Sequence, residues 1–468
     1  MINSKFIQLY QALSKAEYKQ LQKWVNSPIH NQHKIVQNLF NYLYSRTVIS
    51  KTTVDKNRIF QHLYPNEVYN DNQLYHIQSY SIKVLENFLG YNRIFSDQNI
   101  WQKALLQEYR SRNQTKLSQQ TLEKAKNTLA KEPLNNASYH LDAYHLEVEQ
   151  FKLGSIEKRT AANNLPQLFE HLSSFFILTT LKYACTAVSH SNVSKTAYTI
   201  PFLETVLQAA NSDTVEPSIK IYYYAYKALT QVEQEENYTQ LKQYFFEYNQ
   251  LLNSEEQYEV FQLMINYCIK QINTSNQAYF KEIFELYKKG LETKILLGKT
   301  GALSRFTYKN IVSAGLQLQQ FKWIQNFIAQ YTNYLPKPFQ RIYTHYSNAK
   351  LFFVQKNYTK ALQLLVQVED YDDIFMTLGA KMMLLKIYYE ENSIDSLMAL
   401  ISSFRVFLQR KDILGYHRKV YQNILSILNK LLNIAPTDKI AKKQLLEVIQ
   451  TTQPLAEKQW LLNQLQKL

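Results

Sequence analysis

The sequence predicts an all-α protein, with a helical N-terminal domain leading into a solenoid of degenerate helical hairpins. Three observations predict it. The first is glycine: there are eight in 468 residues, against a usual share of ~7%. Tight β-hairpins, phosphate-binding loops and all-β architectures consume glycine, so this scarcity argues against all of them. The second is apolar residues recurring at three- and four-residue spacing between clear start and stop signals. The third is self-similarity between 342 and 410. A shift of 36 residues carries Phe352 onto Tyr388, Tyr358 onto Ile394, Ala361 onto Leu397 and Leu365 onto Ile401. A shift held over buried-type positions marks a helix–turn–helix unit that buries its apolar face only against its neighbours.

The elements follow in order. In the N-terminal domain, 1–95, Ser14 and Glu17 form a capping box for a helix through Trp24, which Ser27-Pro28 ends. A helix over about 33–45 turns Ile35, Leu39, Tyr42 and Leu43 inward. Thr53 is read as the cap of a helix over 54–64 that Pro65 stops. Asn70 and Asp71 open a long helix through Leu89, with Leu74, Ile77, Leu85, Phe88 and Leu89 inward. The pair 54–64 and 71–89 has the outline of a helix-turn-helix. Its second helix offers only Lys83 to a phosphate backbone, beside Asp71 and Glu86, so a packed helical layer is the reading.

Residues 96–215 form an irregular helical region with breaks at 133–136, 162–166 and 190–200. The helix from 167 to about 187 is apolar over much of its circumference and is expected to be central. From Glu216-Pro217 to 411 hairpins recur: 218–231 with 238–252, 258–271 with 277–289, 306–318 with 321–331, and then the two units described above. Leu241, Ile283, Ile324, Ala361 and Leu397 are the matching inward positions of the second helices. Residues 412–468 read as a helix over 416–433 and a short basic pair of capping helices.

Composition bounds the function. The chain is 46% hydrophobic and 19% charged, with material for a core. Its most apolar run, 175–181, lies between Glu170 and Lys182 and is far short of the ~20 residues of a bilayer span. Cys185 and Cys268 lie in separate helices, and no signal peptide is evident at the start. Free thiols in the cytoplasm, without membrane insertion, are therefore expected. The net charge is +15 and uneven: residues 301–350 hold six basic and no acidic side chains, whereas 201–250 hold seven acidic and three basic. Such a balance suits an acidic peptide or a nucleic acid as partner.

No catalytic, cofactor or metal constellation emerges. Gly298-Lys299-Thr300 has the ending of a P-loop, but Thr293 stands where its first glycine belongs. His140 and His145 diverge on a helix and have no cysteine nearby. The serine–lysine spacing at Ser155 and Lys158 lacks its companion motifs. A non-enzymatic protein is expected.

The hairpin Asn348–Val368 resembles a tetratricopeptide repeat. Ala349 sits at the small position of the first helix, Phe352 at the buried aromatic, Asn357-Tyr358 at the turn, and Ala361 at the small position of the second helix. His345 replaces the usual tryptophan, and no proline closes the unit. Further runs (Ser27-Pro28 through Asn31, Phe175-Phe176-Ile177 with Cys185, 308–312, 326–328, 387–390 and Ser403-Phe404) resemble a family of uncharacterised helical-repeat proteins from Bacteroidota bacteria. That family brings no activity with it.

The tetratricopeptide resemblance implies peptide capture by the first helices of successive hairpins. The residues so placed are Lys309, Asn310, Ser313, Tyr346, Lys350, Phe353, Lys386 and Tyr389. Lys350 and Lys386 are equivalent across the 36-residue shift and are expected to line one groove. Lysines there attract carboxylates, and aromatics supply contact area at low entropic cost. The alternative is a nucleic-acid backbone patch at Arg405, Arg410, Lys411, Arg418 and Lys419, near Phe404, Phe407, Tyr416 and Tyr421.

Overall fold

The computed structural model describes residues 1–46, 48–157, 163–194, 196–274, 276–366, 373–410 and 415–468. Among these are 23 α-helices, three short 3-10 turns and no strand, so the chain is all-α. It divides into two compact units, Met1–Thr179 and Thr180–Leu468.

In the first unit, five helices (Lys5–Gln11, Lys15–Val25, Lys34–Tyr44, Lys56–Leu63 and Asp71–Ser96) share one core. Phe6, Val25, Val36, Leu39, Ile59, Phe60, Leu74 and Leu85 meet there with no exposure. The Ser14–Glu17 capping box forms in both directions, which satisfies two otherwise orphaned amides. Two boundaries differ from the sequence reading. Asp55, not Thr53, caps the fourth helix, its carboxylate accepting from the Arg58 amide at 3.1 Å. Thr53 is instead folded into a turn in which its hydroxyl accepts from the Ser50 amide at 2.7 Å. The long helix continues past Leu89 to Ser96, because neither Gly90 nor any proline interrupts it; a lone glycine weakens a helix but does not end it.

A second cluster joins Leu106, Leu122, Ala125, Leu129, Ala143, Leu146 and Leu153 from the helices Gln98–Ser111, Thr115–Leu129 and Ala137–Glu157. The flank of this layer is ionic, with Lys103 on Asp142 at 2.6 Å and Arg110 on Glu149 at 2.8 Å. The apolar helix runs from Leu165 to Ser194 and is less central than its composition suggests. Leu178 is buried, but Phe169 is 58% exposed and Phe176 44%. All-round apolarity does not determine how many neighbours a helix receives. Its stretch Leu165–Ser191 is long and apolar enough to cross a membrane by length and composition. Within that stretch Lys182 is paired to Glu259 at 3.0 Å and Glu256 at 3.5 Å.

The second unit is built of helix pairs: Pro217–Thr230 with Glu235–Tyr248, Ser254–Asn273 with Tyr279–Glu292, Arg305–Gln317 with Phe321–Tyr331, Lys337–Val354 with Tyr358–Leu365, and Ile374–Glu390 with Ile394–Arg410. Gly415–Leu432, Lys439–Thr451 and Lys458–Lys467 follow. Leu241, Ile283, Ile324, Ala361 and Leu397 are all buried. First helices also touch first helices: 217–230 meets 254–273, 305–317 meets 337–354, and 337–354 meets 374–390.

Three of the turns are built alike. Gln319, Lys356 and Asn392 adopt left-handed φ of 54–57°. The next amide then reaches back five residues, Gln320 to Gly315 O, Asn357 to Phe352 O and Ser393 to Tyr388 O, at 2.8–2.9 Å. This satisfies carbonyls that a helix end leaves orphaned. The turns at 356 and 392 obey the 36-residue shift. Glycine appears where helices must approach: a Cβ on Gly315 would lie 2.4 Å from Ile324 Cδ1, and one on Gly379 would lie 2.3 Å from the Tyr346 hydroxyl.

Candidate functional site

Three consecutive first helices carry the candidate residues. Arg305–Gln317 holds Lys309, Asn310 and Ser313; Lys337–Val354 holds Tyr346, Lys350 and Phe353; Ile374–Glu390 holds Lys386 and Tyr389. The last of these helices is fixed at its start by Asp373, whose carboxylate accepts from the Met376 amide at 3.2 Å. Contact between neighbouring first helices brings the lysines into a row.

Lys350 occupies the middle. Its ammonium donates to Ser313 Oγ at 2.8 Å, and that hydroxyl donates to Lys309 O at 2.9 Å. Burial, followed by repulsion from Lys309, pushes Lys350 down to about 8; Glu457 opposes the shift and Lys386 adds to it. A buried ammonium beside like charges gives up its proton more readily. Lys386 is nearly enclosed. It pairs with Glu457 and lies 5.8 Å from the centre of the Phe353 ring and 5.6 Å from that of Trp460. Among the described residues no carboxylate forms an ion pair with Lys309 or Lys350. Three ammoniums therefore face one carboxylate.

The aromatic flank comes partly from the far end of the chain. Tyr389 meets Trp460 edge-on, with ring centres 5.5 Å apart. The Trp460 indole donates to Glu390 Oε1 at 2.8 Å, while the Tyr358 hydroxyl donates to the other Glu390 oxygen. Glu457, with φ 57°, precedes the final helix, Lys458–Lys467. Before it, Asn423 holds Pro454 O at 2.8 Å. A cavity of about 720 Å³ opens there, lined by Val420, Tyr421, residues 452–456 and Lys458.

The structure thus brings together Lys309, Ser313, Lys350, Phe353, Lys386 and Tyr389. It withdraws Tyr346, which is buried against Gly379 and unavailable to any surface ligand; burial drives its hydroxyl well above the usual phenol range. Asn310 is exposed. Glu457, Trp460 and Glu390 were not among the sequence candidates.

In the second basic cluster, Arg405, Arg410 and Lys419 are exposed and Arg418 is half-buried. Lys411 lies outside the described residues, as do Asp412 and the Tyr416 side chain. Phe404 is fully buried, 5.7 Å from Tyr421, and Lys381 rather than a cluster arginine lies over Phe407. Phe404 thus packs inward, while Phe407 and Tyr421 are half-buried.

The remaining motifs have structural partners. Lys299 pairs with Glu255 at 2.5 Å on the wall of a cavity of about 520 Å³. His140 meets His171, not His145, with Nδ1 atoms 3.1 Å apart. Among the described residues no group of three His, Cys, Asp or Glu is placed to hold a metal. Lys158 lies outside the described residues. Cys185 and Cys268 are free and buried, and burial pushes the Cys268 thiol up to about 12. No family model, no curated protein and no solved structure matches this chain.

Proposed function

We propose that the chain is a non-enzymatic, cytoplasmic adaptor. It captures a peptide or protein partner, acidic in character, on the concave face of a degenerate tetratricopeptide-like solenoid. The observation that carries this reading is the Lys309–Lys350–Lys386 row, short of counter-charge and flanked by Phe353 and Tyr389. Partly desolvated cations beside rigid aromatic area recognise carboxylates next to apolar anchors. High-pKa buried thiols make poor nucleophiles, so Cys185 and Cys268 are not candidates for thiol chemistry.

A second reading, nucleic-acid association, is favoured by the net charge of +15 and the exposed Arg405, Arg410 and Lys419. Salt separates the two. Affinity for labelled acidic peptides and for oligonucleotides is measured from low to high salt. An oligonucleotide complex weakens log-linearly with a steep slope, whereas a peptide held by apolar anchors weakens less. Tight oligonucleotide binding lost on Arg405→Glu/Arg410→Glu, with no peptide binding, would overturn the adaptor reading.

A further inference from the structure

The strongest unassigned arrangement is the meeting of the lysine row with the end of the same chain. Glu457 is the only carboxylate seated on that row among the described residues, and it forms an ion pair with Lys386 alone. Trp460, three residues later, closes the same aromatic cage around the Lys386 ammonium and docks on Tyr389 and Glu390. Glu457 stands just before the final helix and Trp460 lies in its first turn, and the two side chains converge on the Lys386 ammonium, which makes this helix start a compact recognition element. It sits where a bound peptide would sit.

We infer that residues 457–460 are a resident occupant of the adaptor site. The partner they hold off is an acidic peptide presenting a carboxylate just before a helix and an aromatic ring in its first turn, with further carboxylates reaching Lys350 and Lys309. This inference rests on the adaptor reading and adds the class of ligand and the means of its control. Charge complementarity favours the incoming peptide. Glu457 satisfies one ammonium of three, so a segment with additional carboxylates gains contacts that the resident segment lacks. The cavity beside residues 452–456 leaves open space on one side of the resident segment. Lys458 and Gln459, inside the resident element, add no negative charge.

The test uses the full chain and a labelled peptide copying residues 452–468. Binding is measured to wild type, to Glu457→Gln/Trp460→Ala, and to that variant with Lys386→Glu added. Vacating the site tightens binding by about tenfold or more, the worth of one charge-assisted contact, and Lys386→Glu abolishes the gain. A peptide carrying Glu at the positions of Lys458 and Gln459 binds more tightly still, and Lys350→Met removes that extra gain. Circular dichroism confirms folding, and Glu457→Gln/Trp460→Phe replaces the alanine variant if it unfolds.

Equal affinity of wild type and the vacated variants, or no binding to either, overturns the inference. So does a wild-type dimer that dissociates when the site is vacated, since the occupant is then a second copy. A partner that needs Lys350 and Lys386 yet ignores the 457 and 460 substitutions leaves the adaptor reading standing while sinking this one.

Discussion

Replacing Lys350 by methionine probes the site through stability alone. The ammonium, normally near 10.5, is held at about 8. At about 1.4 kcal/mol per tenfold change in proton affinity, keeping it charged at pH 7 penalises the folded chain by about 3 kcal/mol. The hydrogen bond to Ser313 returns about 1 kcal/mol, so Lys350→Met is predicted to stabilise the protein by about 2 kcal/mol at pH 7.

Below pH 8 the lysine is protonated in folded and unfolded chains alike, and the penalty is fully present. Between pH 8 and about 10.5 the folded chain sheds the proton first while the unfolded chain retains it. The wild type therefore recovers stability relative to the variant as pH rises. By pH 9.5 the advantage of methionine should fall by about 2 kcal/mol, to near zero. Urea unfolding of both proteins at pH 7 and 9.5 reads this directly, and taking the difference cancels the tyrosines that titrate in the same window. The charged groups facing Lys350 are Lys309, Lys386 and Glu457, and none of them is altered. A variant less stable than wild type at pH 7, or a difference independent of pH, would refute the placement there of a buried ammonium without an ion pair.

Three further outcomes follow from the same geometry. A double-mutant cycle of Lys386→Met and Glu457→Gln should give a coupling of about 1 kcal/mol, because Lys386 is only 12% exposed although Glu457 is 40%; thermal unfolding at low and high salt checks it, and the coupling should shrink with salt. Gly315→Ala should destabilise by about 1–3 kcal/mol, since the added methyl collides with Ile324 and Phe284; denaturant midpoints measure it. At the left-handed turn, Lys356→Gly should be neutral or stabilise by up to about 1 kcal/mol, while Lys356→Val should destabilise by about 1 kcal/mol or more; unfolding of the pair side by side decides it.

The helices were legible wherever periodicity and capping agreed, as at Ser14 with Glu17, or at the five inward positions from Leu241 to Leu397. The turn geometry was not, because Gln319 and Lys356 adopt a left-handed conformation that sequence associates with glycine. Tyr346 shares a helix face with Lys350 and Phe353 and reads from spacing as an equal candidate. The close approach permitted by Gly379 buries it, while Lys350 and Phe353 on the later turns of that face are half-buried. Glu457 and Trp460 were unreadable for another reason. They lie 71 and 70 residues from Lys386 and Glu390, and no local pattern links a basic terminal hairpin to a lysine row so far away. The helix at 165–194 shows the converse limit, since its apolarity was plain and its exposure was not.

The central claim is tested most directly by affinity capture from a bacterial lysate, comparing wild type with Lys350→Glu/Lys386→Glu, each with and without nuclease. The account predicts a protein partner that survives nuclease and disappears with the double variant. Equal recovery by both proteins, or recovery that nuclease abolishes, would contradict it.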